Sequence, residues 1–87
     1  MKYEKIAETL KVLANPKRLE ILNAIKTEEV TVNKPAKILG VYKSNVSQHL
    51  SILRMTGIVT ARRQGKKVFY RITDKKVAIL LDAVMLI

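Results

Sequence analysis

Two runs of residues in this sequence carry side chains suited to binding chemistry. Lys43, Ser44, Asn45, Ser47 and Gln48 crowd the first, and Arg62, Arg63, Gln64, Lys66 and Lys67 surround Gly65 in the second. The chemistry they offer is recognition rather than bond-making. Short hydroxyls and amides present donors and acceptors at fixed spacing, and a Gln or Asn amide can pair bidentately with adenine. Guanidinium and ammonium groups instead neutralise phosphates. Groups for catalysis are missing from the pattern. His49 is the one histidine, and Glu4, Glu8, Glu20, Glu28, Glu29, Asp74 and Asp82 are scattered without a paired acid/base arrangement. No glycine-rich phosphate loop, EF-hand or zinc-ligand spacing occurs, so neither an enzyme nor a cofactor is expected. His49 borders an apolar face beside Leu50 and Leu53, where a packed, hydrogen-bonded imidazole is expected rather than a ligand.

The charge is localised. Of a formal net charge of +10, residues 34–76 account for all of it, with eleven Lys/Arg against the single acid Asp74. The flanking stretches are nearly neutral, so the positive field belongs to one contiguous piece of sequence and implies a polyanionic partner. At 87 residues the chain is expected to form a single domain, 1–87. With few aromatics and no Trp, its core must come mainly from Leu, Ile, Val and Ala. Cysteine is absent, which removes disulfides and thiolate chemistry and agrees with a cytoplasmic location. The N-terminal residues run into an amphipathic pattern rather than a signal peptide, and the most apolar segment, 77–87, is too short to span a bilayer.

Positioning the two runs requires rigid elements around them. Tyr3, Ile6, Ala7, Leu10, Leu13 and Ala14 fall at helical spacing and predict a first helix over 3–14. Asn15 and Pro16 supply an N-cap and a first-turn proline for a second helix, which buries Ile21, Leu22 and Ile25 and ends near Lys26. After a short β-prone patch, Val30-Thr31-Val32, Asn33 is expected to cap a third helix running to Leu39, closed by Gly40. A fourth helix over 44–56 places Val46, Leu50 and Leu53 on one face and Ser44, Gln48 and Ser51 on the other. Strands over 58–64 and 67–73 follow, turned at Gly65, with Val68, Tyr70 and Ile72 alternating inward. Asp74 caps a last helix, 74–87, whose Val77, Ala78, Leu80, Leu81, Val84, Met85 and Ile87 cover more of its circumference than one small domain buries.

Two helices joined by a short turn and followed at once by a basic hairpin form a winged helix-turn-helix, mainly α with a small β-hairpin in the order α-α-(short β)-α-α-β-β-α. In that arrangement helix 44–56 enters the major groove of double-stranded DNA. Ser44, Asn45, Ser47 and Gln48 are the base-reading candidates, and Lys43 with the wing 62–67 positions the protein on phosphates or a minor groove. The same charge would also serve a sequence-neutral architectural nucleic-acid-binding protein. The apolar last helix would alternatively suit a winged-helix module that docks another protein.

The sequence also resembles the ArsR-type family of winged-helix repressors. Four stretches carry the likeness: Leu10 to Leu22 around Asn15-Pro16, Val46-Ser47-Gln48-His49-Leu50-Ser51-Ile52-Leu53-Arg54, Gly57-Ile58-Val59, and Gly65 to Ile72. The resemblance implies a homodimer built from the terminal helices 3–14 and 74–87, for which Tyr3, Ile6, Leu10, Leu80, Leu81, Val84 and Met85 are the interface candidates. It also implies repression from an inverted-repeat operator with half-sites roughly 34–36 Å apart or a multiple of that. The departures concern sensing. Thr31-Val32-Asn33 stands where thiolate-sensing relatives place Cys-x-Cys. Of the zinc-type ligand pattern only Asp74 matches, since Lys76 and Ile87 stand where relatives have histidines. No metal is therefore expected, and the sequence names no effector.

Overall fold

The second helix shows how local chemistry sets the boundaries. Asn15 has extended backbone angles, and its side-chain oxygen accepts the Arg18 amide at 3.1 Å, while Pro16 occupies the first turn, where its missing N–H costs nothing. The computed structural model describes residues 2–86, so Ile87, counted above in the last helix, lies outside the described residues. The element order is α1 (Lys2–Leu13), α2 (Pro16–Ile25), α3 (Asn33–Leu39), α4 (Lys43–Met55), β1 (Val59–Gln64), β2 (Lys67–Ile72) and α5 (Lys75–Val84). This is the expected winged helix-turn-helix order.

The start of α3 departs from expectation. Val32 is already helical (φ −61°, ψ −20°) and its carbonyl accepts the Ala36 amide at 3.1 Å, so Asn33 is the first helical residue and caps nothing with its side chain. At the other end Gly40 takes φ +68°, and both its amide and that of Val41 reach back to the Ala36 carbonyl. Only glycine reaches that left-handed position cheaply, and it turns the chain from α3 into α4.

The core is a single apolar cluster. Ile21, Leu22 and Ile25 of α2, Val46, Leu50 and Leu53 of α4, Val59 of β1, and Val77 and Leu81 of α5 meet in it, all buried. Each fully buried Leu or Ile contributes about 1.5–3 kcal/mol relative to exposure. Strands β1 and β2 pair antiparallel, from Val59 opposite Ile72 to Gln64 opposite Lys67. The two-residue turn has Gly65 at φ +62° while Lys66 keeps an ordinary negative φ, a pattern matching a type II′ hairpin. The β-prone patch before α3 forms one further rung, with Val30 and Tyr70 exchanging backbone bonds of 3.0 and 2.7 Å. The inward alternation on β2 weakens towards the tip. Tyr70 and Ile72 pack on the core, whereas Val68 is half-buried and lines a cleft beside α4.

Candidate nucleic-acid interface

Helix α4 is held from behind and free in front. Val46, Leu50 and Leu53 are each 0 % exposed, which fixes the rotation of the helix about its axis. On the solvent side Lys43, Ser44, Asn45 and Gln48 are exposed, and Ser47 is half-buried at the edge of the packed face. No side chain caps the N-terminus of α4, because Tyr42 stands at the cap position. His49, on the same helix, is the packed imidazole expected from the sequence. Its Nδ1 accepts a long hydrogen bond (3.4 Å) from Arg18 Nε, and Arg18 also donates to the Val12 carbonyl at 3.2 Å, joining α1, α2 and α4. Partial burial, with smaller contributions from the nearby charges of Arg18 and Lys17, holds the His49 pKa below its ordinary value, so the neutral ring is favoured.

The wing stands beside this helix. Ser47 of α4 and Lys66, Lys67, Val68 and Tyr70 of the hairpin line one cleft of about 320 Å³, together with Thr31, Val32 and Asn33. The fold thus brings Ser47, at the edge of α4, together with two of the wing cations. Arg63 and Gln64 are exposed along the same hairpin. Arg62 is placed differently from the sequence expectation of a phosphate contact. It is engaged by Glu29, with Nε at 2.8 Å from both carboxylate oxygens, and it lies over the Phe69 ring at 4.7 Å. The Arg62 hydrogen bond holds the Glu29 carboxyl below its ordinary pKa and raises that of the guanidinium in turn.

Several neighbours of the site escaped the sequence reading. Thr31 and Asn33 line the cleft under the wing, and Lys37 and Tyr42 line a second cleft beside Lys43 and Ser44. Lys37 and Tyr42 lie only a few positions upstream of Lys43, and the charge of Lys37 together with the exposed aromatic Tyr42 was the available signal. Glu29 had none, since its partner is 33 residues away.

Comparison with known proteins agrees with this geometry. Residues 15–61 match the family described as bacterial regulatory protein, arsR family. That span covers the second helix, the helix-turn-helix and the start of the wing. The chain belongs to the ArsR family. It is 37 % identical over 78 residues to the biofilm growth-associated repressor of Xylella fastidiosa, covering 90 % of this chain and 68 % of that protein. HlyU from Vibrio cholerae superposes with a TM-score of 0.87 at 31 % identity, over 95 % of this chain and 90 % of that one. The homodimeric winged helix-turn-helix DNA-binding domain from Mycobacterium bovis superposes with a TM-score of 0.85 at 34 % identity, over 97 % of this chain and 78 % of that one.

At two positions where the ArsR resemblance implies metal ligands, this ArsR-family protein has a cleft-lining threonine and a helix cap. Thr31 lines the wing cleft, and Asp74 Oδ1 accepts the Lys76 amide at 2.8 Å as the cap of α5. Ile87 lies outside the described residues. Among the described residues no cluster of His, Cys, Asp or Glu suited to a metal comes together, and no helix is long and apolar enough to cross a membrane.

The terminal helices of this ArsR-family protein are incompletely covered. Leu13 is the buried residue of α1, while Tyr3 is 78 % and Leu10 49 % exposed and Ile6 also faces solvent. On α5, Leu80 and Val84 are half-buried and Met85 is exposed. An apolar groove formed by Ile6, Leu10, Leu13, Val77 and Leu80 runs between the two helices. Leu81 corrects the sequence reading. At 2 % exposure it belongs to the core of its own chain, because its position on α5 faces the apolar cluster rather than outward, and it has no surface left for a partner.

Proposed function

We propose that this protein is a homodimeric, sequence-specific DNA-binding repressor of transcription. In this reading α4 enters the major groove, where Ser44, Asn45, Ser47 and Gln48 read base edges, while Lys43, Arg63, Gln64, Lys66 and Lys67 hold the backbone or an adjacent minor groove. The observation that carries it is the shared cleft. Ser47 of the helix and Lys66 and Lys67 of the wing line one space, so a single duplex can meet the edge of α4 and the wing cations together. The net charge of +10 supplies the attraction.

Dimerisation is supported by the exposed apolar side chains of α1 and α5, and by the homodimeric state of the similar Mycobacterium bovis domain. A two-fold dimer presents two α4 helices and thereby favours an inverted-repeat operator. Repression comes to this chain from relatives such as the Xylella fastidiosa repressor. The deciding experiment selects bound duplexes from a random pool at about 0.15 M salt. A symmetric site preferred at least ~10³-fold over random duplex is expected. A ratio near one would replace specific readout with sequence-neutral nucleic-acid binding.

A further inference from the structure

Arg62 enters the wing with most of its bonding capacity already used. Its Nε donates to both carboxylate oxygens of Glu29 at 2.8 Å, Nη2 lies 2.7 Å from Glu29 Oε1, and Nη1 donates to Gln64 Oε1 at 2.7 Å. The flat face of the guanidinium rests on Phe69, its cross-strand neighbour. Three of its five N–H groups and one face are therefore engaged within the chain. Glu29 itself lies in the segment between α2 and α3. The next residue, Val30, exchanges two backbone hydrogen bonds with Tyr70 of β2. A carboxylate and a backbone rung thus grip the hairpin at adjacent positions.

Strand alternation separates Arg62 from Arg63, the wing cation next to it. The pair Arg62–Phe69 lies on one face of the hairpin, and the pairs Arg63–Val68 and Ala61–Tyr70 lie on the opposite face. Val68 and Tyr70 line the cleft shared with Ser47 of α4, whereas neither Arg62 nor its partner Phe69 does. To bring its engaged donors to a phosphate it would have to leave Glu29 and Gln64 and strand the half-buried Glu29 carboxylate beside a polyanion.

We propose that Glu29 is a positioning residue for DNA binding: by holding Arg62 it holds the wing, so that Arg63, Lys66 and Lys67 meet the duplex beside α4 while Arg62 contacts no phosphate. This rests on the DNA-binding reading above. It makes a prediction opposite in sign to simple electrostatics. Glu29→Ala raises the net charge by one, and were Glu29 merely competing with phosphate for Arg62, its loss would tighten binding. Positioning requires the reverse, a loss of about threefold to tenfold.

The test titrates the full chain with a mixed-sequence DNA duplex over a range of salt. Glu29→Ala and Arg62→Ala should each weaken binding with the salt slope unchanged, and the double variant should be no weaker than either alone. Arg62→Lys should fail to rescue, because an ammonium cannot bridge the carboxylate as a fork. Lys66→Ala, by contrast, should lower the slope by about 1. Tighter binding by Glu29→Ala, or a slope lowered by Arg62→Ala as by Lys66→Ala, overturns the proposal. If the unsubstituted protein binds no duplex, it is the DNA reading that fails. Hydrogen exchange in the free protein then decides the strap: the Val30 and Tyr70 amides should exchange severalfold faster in Glu29→Ala, and unchanged rates count against it.

Discussion

In the proposed DNA-binding reading helix α4 and the wing approach the same partner, but they are built to different tolerances. Three side chains that are 0 % exposed anchor α4 to the core, and between Lys43 and Arg54 its outer surface is mostly polar and uncharged. The wing carries its charge on a two-stranded hairpin whose second strand has only half-buried inner side chains. A hydrogen bond to a base edge fails over a fraction of an ångström. Attraction between a lysine and a phosphate persists over a Debye length of roughly 8 Å. Base reading thus belongs on the rigid element, and the wing can work from a looser one, provided its face is set.

The largest test of this contrast is stability. Leu50→Ala should cost about 2–5 kcal/mol by leaving a cavity behind α4, whereas Val68→Ala in the wing should cost less than about 1 kcal/mol. Urea unfolding measures both, and equal losses would mean that the two elements are equally well anchored. Next comes pairing. Leu10→Asp puts a charge on the uncovered face of α1 and should weaken self-association by about 2–4 kcal/mol, seen by sedimentation. Operator affinity should fall with it far more than affinity for random duplex, since only specific readout needs two α4 helices in register.

Substitutions within each element come third. Gln48→Ala should remove about 1–3 kcal/mol of base discrimination with little change in salt slope. Lys66→Ala should weaken all duplexes alike, and competition binding that found the two variants indistinguishable would dissolve the division of labour. Acidification has the smallest effect. His49 has a folded pKa below its ordinary 6.5, so its contribution to stability is complete above that value and is lost as pH falls through the lower folded one. Glu29 likewise contributes above its ordinary 4.5 and loses that contribution only below it. Between these values the α4 side should soften while the wing strap persists. A melting temperature that drops across this window, and no longer does in His49→Gln, is the expected record.

Most boundaries were legible because their causes are local. Asn15 with Pro16, Gly40, Gly65 and Asp74 each fix a turn or cap through their own chemistry, and the elements begin and end within about two residues of those signals. The cap at Asn33 was misread because Val32 had already turned helical, which no local pattern around Asn33 reveals. Among site residues, Ser44 and Gln48 were legible from helical spacing, since exposure on a helix with one apolar face is a matter of angle. Arg62 was not. Its sequence context is that of its neighbour Arg63, and only the alternation of the hairpin and a carboxylate 33 residues away distinguish them.

The sequence by itself determined that the chain carries an amphipathic helix with a polar outer face, a basic hairpin and a surplus of apolar surface at its two ends. Those are properties of composition and period, which survive in any compact arrangement of the elements. The tertiary structure decided which of these surfaces are available. It turned Leu81 inward and left Leu10 outside, tied Arg62 to Glu29, and set Ser47 across one cleft from Lys66 and Lys67. These outcomes depend on contacts between residues far apart in the chain, and such contacts exist only once the core has fixed the angle at which each element stands.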